Sequence, residues 1–153
     1  MDEQMWNNLL NSIFIDMHQF GLKPQPPCGE QELIDLNLTI NRIFGINLPN
    51  DYLELLAIVD GLDWNGLIIL ASQQRVITGY TDRYIDGILD RNLAYRDNLE
   101  MARYLVLGED GTVMFSMDCH SGQYVVLSTA GLSVLESYAT CSELLSSAMT
   151  SHL

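Results

Sequence analysis

Basic residues are scarce in this chain of 153 residues: seven Lys plus Arg stand against 20 acids, for a formal net charge of −13. That scarcity excludes the basic footprint of a nucleic-acid binder, so neither DNA nor RNA is an expected partner. The few cations are also unevenly placed. Arg75, Arg83, Arg91, Arg96 and Arg103 sit in one middle segment, and no lysine or arginine follows Arg103. Long apolar runs are missing as well, since none approaches the roughly 20 residues of a membrane-spanning helix. With 48% hydrophobic and 18% charged residues, a soluble folded domain is expected, without a membrane partner. Cysteine is limited to Cys28, Cys119 and Cys141, an odd set without C-x-x-C spacing, as expected of free thiols in a reducing compartment. Asp2 and Glu3 stand where a signal peptide would be basic, and the apolar residues behind them are dispersed, so the expected location is the cytoplasm.

Motifs for chemistry are equally sparse. The sequence contains no glycine-rich phosphate loop, no G-x-S-x-G and no H-E-x-x-H. His18 lies beside the apolar face of the first predicted helix, His120 in a predicted turn and His152 at an expected frayed end. Cys119 and His120 are adjacent on an extended segment and so point to opposite faces, which prevents them from sharing a metal or forming a catalytic pair. Acidic surroundings also disfavour a reactive thiolate. No catalytic residue, cofactor or metal site is expected.

Apolar spacing outlines the elements. Trp6, Leu9, Leu10, Ile13, Phe14 and Met17 form one face of a helix over Gln4 to Phe20, ended by Gly21 and the Pro24 to Pro27 run. A second helix is predicted from Glu30 to Phe44, burying Leu33, Leu36, Ile40 and Ile43 and leaving at Gly45. In Leu48-Pro49-Asn50-Asp51-Tyr52, Pro49 suits a helix start and Asn50 a cap; Tyr52, Leu55, Leu56 and Val59 give the buried face of a short helix that stops at Gly61. Gly66 to Ala71 reads as a strand. Ile85, Ile88, Leu89 and Leu93 predict a helix from Thr81 to about Asn98, despite Gly87. From Tyr104 the period changes to two: Val113, Phe115 and Met117 alternate with Thr112, Met114, Ser116 and Asp118, and Tyr124 to Leu127 follow the His120-Ser121-Gly122-Gln123 turn. Thr140-Cys141-Ser142-Glu143 has capping-box form ahead of Leu144, Leu145, Ala148 and Met149. The resulting class is α+β: N-terminal helices on a mainly antiparallel sheet, a helix between the first strand and the later meander, and a C-terminal helix. One domain over 1–153 is expected, with residues 1–28 as N-terminal helix and proline-containing loop and 29–150 as core.

Three groups of side chains are candidates for binding a partner. Asp82, Asp86 and Asp90, spaced by four, would line one helix face, where like charges cost about 0.2–0.5 kcal/mol per pair unless offset, for instance by Arg83. Either a solvated, partly paired face or an acidic stripe for a basic protein satisfies that spacing; a divalent metal is less suited to a single helix row. Asp60, Asp63 and Trp64 sit in a glycine-bounded loop, where the tryptophan is either an interface anchor or a cap folded onto the sheet. Glu109 and Asp110 occupy the next acidic turn.

The ordered series Ile43-Phe44-Gly45-Ile46, Leu48 to Leu56, Asp60-Gly61, Trp64-Asn65-Gly66-Leu67, Asn92 to Arg96, Tyr104 to Gly111 and Gly122 to Val126 resembles the SUKH superfamily. That group contains bacterial immunity proteins sharing a fold with a fungal cell-wall synthesis regulator. The likeness spans about Gln31 to Met149; the chain differs in the long first helix and in Val59-Asp60-Gly61, where the family often has asparagine before glycine. The resemblance implies a noncatalytic α+β protein that binds and occludes a cognate toxin, often a nuclease, in the producing cell. A basic toxin suits the acidic balance. The alternatives are an acidic chaperone for a secreted effector, an enzyme with an unrecognised site and a scaffold.

Overall fold

The computed structural model describes residues 5–153. Gln4, the expected start of the first helix, lies outside them, as do Asp2 and Glu3. Helix α1 (Met5–Gln19) buries Trp6, Leu10, Ile13 and Met17, and α2 (Glu30–Phe44) ends on left-handed Gly45. The apolar stripe of α2 is narrower than its spacing suggests: Leu36 and Ile40 are buried, Leu33 is half-buried and Ile43 is exposed. Helix α3 (Asn50–Ile58) buries Tyr52, Leu55 and Leu56. Its flanking residue is Pro49, which offers no side-chain cap. Asn50 is therefore the first helical residue and not the cap, and the helix ends at Ile58, with Val59 already extended, three residues before Gly61.

The main sheet has six antiparallel strands in the order β1-β2-β5-β6-β7-β8. They are β1 (Leu62–Trp64), β2 (Leu67–Ile69), β5 (Tyr104–Glu109), β6 (Val113–Asp118), β7 (Tyr124–Ser128) and β8 (Val134–Tyr138). β1 and β2 form a hairpin closed by Asn65 (φ 48°) and Gly66 (φ 85°). Positive φ at both central residues is the turn that matches strand twist, and Asn-Gly is the pair that adopts it most readily. The expected single strand from Gly66 to Ala71 is thus the second arm of a hairpin. Register places Leu62, Trp64, Leu67, Ile69, Phe115 and Val126 on one face. On that side Phe20 packs on Trp64 and the Tyr52 hydroxyl donates to the Leu70 carbonyl at 2.5 Å. Asp63, Ile68, Glu109, Met114 and Leu127 form the ladder on the other face. Helix α5 (Cys141–Thr150) starts as its capping box requires, with Thr140 Oγ1 accepting from the Glu143 amide.

The predicted helix from Thr81 to Asn98 is corrected. Residues 84 and 85 belong to a small second hairpin of β3 (Arg75–Val76) and β4 (Tyr84–Ile85), and only α4 (Ile88–Tyr95) is helical. Ile85 is buried by sheet pairing and not by a helix face. Gly87 explains the break. A Cβ there would lie 2.6 Å from Gln73 Cα, so only glycine lets the chain pass this close before α4 begins.

Helix α4 is fastened by Asn92, a fully buried amide. Where β2 gives out, the Asn92 side chain continues the ladder: Oδ1 accepts from Val106 N at 2.8 Å and Nδ2 donates to Val106 O at 2.9 Å. Nδ2 also donates to Ile88 O. Replacing Asn92 by leucine strands two buried backbone groups, each worth about 1–3 kcal/mol. Urea unfolding of the Asn92→Leu variant should therefore show a loss of about 2–5 kcal/mol; a loss well under 1 kcal/mol would mean that the side chain does not act as a strand substitute.

Candidate functional site

Four arginines of the middle segment pair with acids of the same chain. Arg75 donates from Nε to Asp60 at 3.0 Å and from Nη2 to Glu32 at 2.6 Å, and the same Asp60 carboxylate accepts from the Ser72 amide and hydroxyl, each at 2.7 Å. Arg83 pairs with Asp63 at 3.1 Å and lies over the Tyr80 ring. Arg91 grips both oxygens of Glu109, whose carboxylate also accepts from the Tyr95 hydroxyl. Burial, then the Glu109 carboxylate, pushes the Tyr95 phenol up to about 12. Arg103 pairs with Asp118 at 2.6 Å. Arg96 donates to the Tyr104 carbonyl and lies 4.0 Å over Phe44.

These contacts correct the expected picture of exposed acids in several loops. Asp60 is buried and Asp63 is paired. Glu109 is ion-paired, while Asp110 accepts from the amides of Thr112 and Val113 and from His152 Nε2 at 3.1 Å. His152 is not frayed: its ring is held between Asp110 and the Ala148 carbonyl and meets Phe115 edge-on. Trp64 takes the second of its two readings, buried against Phe20 with ring centroids 6.2 Å apart. Nor do Asp82, Asp86 and Asp90 share a helix face. Asp82 lies on the segment leading into β4, Asp86 follows β4, and Asp90 alone is in α4. All three are exposed.

What remains is an acidic groove between α2 and the start of α4, about 410 Å³ in volume. Glu32, Asp35 and Thr39 line it from α2, Ser72 and Gln73 from the loop after β2, and Asp90 from α4. Asp35 and Asp90 have no ion pair among the described residues. Gly87, part of the lining, packs tightly against Gln73 and Gln74, and the exposed Asp86 just before it accepts from Gln74 at 3.5 Å. Sequence reasoning found Asp86 and Asp90 but missed Glu32 and Asp35 as site residues, because both read simply as acids on the outer face of α2.

Cys28, Glu32 and Asp60 bring their ligand atoms within 4.8 Å of one another at the end of this groove. The Arg75 guanidinium already bonds both carboxylates there, and burial pushes the Cys28 thiol up. A metal would have to displace that cation and deprotonate a resistant thiol, so the cluster fits an internal ion pair better than a metal centre. All three cysteines are free thiols, and burial likewise raises Cys119 and Cys141. Among the described residues no helix is long and apolar enough to cross a membrane. No family model matches the chain, and no curated protein matches it in sequence.

Asp118 reports on the arginine lock. Burial alone would raise its carboxyl, but Arg103 and the amides of His120 and Ser121 outweigh burial and hold it at about 2. A depressed folded value contributes stability at neutral pH that disappears as pH falls through it. Stability should therefore drop between about pH 4 and pH 2 by about 2 kcal/mol from this group, and the Asp118→Asn variant should be weaker at pH 7 and lose less over the same window. An unchanged pH slope in the variant would assign the acid sensitivity to other carboxylates.

Proposed function

We propose that this chain is an immunity protein that binds a basic, folded toxin domain and covers the surface the toxin uses on its target. The supporting observation is the distribution of unpaired charge. Arg75, Arg83, Arg91 and Arg103 are engaged by acids of the same chain, while Asp35 and Asp90 stand exposed and, among the described residues, without an ion pair in the lining of one groove. Where arginines are neutralised by neighbouring acids and other acids stay unpaired, the surface attracts a basic partner from a distance and raises its rate of encounter. The SUKH resemblance supplies the biological role, and the charge distribution supplies the mode of recognition. In this reading the chain acts by occupancy, and none of its residues is required to make or break a bond.

Coexpression with the product of the adjacent gene tests the role: that product alone should arrest growth, and this chain should restore it. The Asp35→Lys, Asp90→Lys double variant tests the surface. Its association with the toxin should be slower by about tenfold or more at low salt, with the difference shrinking as ionic strength rises. Failure of rescue would remove the toxin from the account; an association rate indifferent to both salt and charge reversal would remove the groove.

A further inference from the structure

We infer that the free edge of β8 accepts an extended, lysine- or arginine-bearing strand of a partner protein, which joins the sheet as a seventh strand. β8 is the terminal strand of the six and pairs only with β7. Among the described residues no backbone group of another element bonds to its outer side. Sheet edges are normally protected by being very short, by proline or charged side chains, by a bulge, or by a covering element. The opposite edge, β1, follows that rule with three residues. β8 has five residues, no proline and no cation, and Val134 and Leu135 are 50% and 56% exposed. Helix α5 reaches β8 through side chains, Ser147 Oγ accepting from the Tyr138 hydroxyl at 3.0 Å and donating to Glu136 at 3.5 Å, with the Tyr138 hydroxyl also bonded to Glu136; none of these uses the outer backbone groups of the strand. The register shift at Leu135 is a local bulge; Glu136, Ser137 and Tyr138 remain in regular pairing with Val126, Val125 and Tyr124.

Charge selects the occupant. Glu136 is exposed at the centre of β8, Glu143 follows in the first turn of α5, and no lysine or arginine occurs after Arg103. Opposite charges across a strand pair stabilise it and like charges weaken it. A second copy would bring another glutamate-bearing strand and a further formal charge of −13, whereas a basic strand complements both. Main-chain bonds would supply the affinity and the cation facing Glu136 the selectivity. β8 lies at the other end of the sheet from β2 and the Ser72–Gln73 loop, so this surface is separate from the groove and does not rest on the toxin reading.

Amide hydrogen exchange on the full chain provides the test, with a ten-residue peptide of alternating valine and lysine as the probe. A peptide of the same sequence N-methylated at alternate positions keeps the charge and cannot pair as a strand. The unmodified peptide should slow exchange within 134–138 and the methylated one should not. The Glu136→Lys variant should weaken unmodified-peptide binding by roughly fivefold to tenfold at low salt. Equal effects of both peptides, or protection elsewhere in the chain, would overturn the inference. So would protection of 134–138 that grows with protein concentration alone, accompanied by a dimeric mass, since that would make a second copy the occupant.

Discussion

The structure depends on a few arginines that each tie one element to another. Between β2 and β5 the chain crosses residues 70–103 with only two two-residue strands, an eight-residue helix and a 3-10 turn, too little regular structure to hold itself. Arg75 binds this segment to α2 and to the buried Asp60. Arg83 fastens its hairpin to β1, Arg91 fastens α4 to β5, and Arg103 fastens the 3-10 turn to β6. The clustering of arginine in this segment therefore has a mechanical cause. Asp60 and Asp118 are almost wholly covered, so removing the arginine leaves each carboxylate without its counter-charge.

The same arrangement shapes the surface. With four arginines paired to acids of the same chain, several exposed acids are left without an ion pair among the described residues. Two of them, Asp35 and Asp90, face one groove between α2 and α4, where Gly87 lets the start of α4 pack against Gln73. The net charge of the sequence thus becomes a located feature, and locating it moves the proposed contact away from the tryptophan loop, which is built into the core.

Helices were legible in the sequence wherever one face is buried and a specific residue ends the element: α1 before Gly21, α2 before Gly45, α5 behind Thr140 and Glu143. The strands β5 to β7 were equally plain because their turns are rich in glycine. The β1-β2 hairpin was missed although Asn65-Gly66 announces it, since three-residue arms give no period to count. The spacing of Ile85, Ile88 and Leu89 imitates a helix because apolar residues of two different elements, β4 and α4, happen to fall at helical intervals. β8 escaped notice because the extra residue at Leu135 breaks the alternation. As for the site, acidity could be read from composition, but which acids stay free could not, because pairings such as Arg91 with Glu109 join residues far apart in the chain.

Two faces of one small protein then have distinct chemistry, an acid-lined groove near β2 and an open edge at β8. The central claim is that arginines serve the fold, which leaves the unpaired acids for the proposed recognition. The most direct measurement is an amide chemical-shift map of the chain on addition of the proposed toxin partner, the product of the adjacent gene. The account predicts that the largest changes fall on α2 from Glu32 to Thr39 and on residues 86–91, with the arginine-locked turns at 109–112 and 118–121 undisturbed. Changes centred on Trp64 and the Asn65-Gly66 turn, with the groove silent, would contradict it.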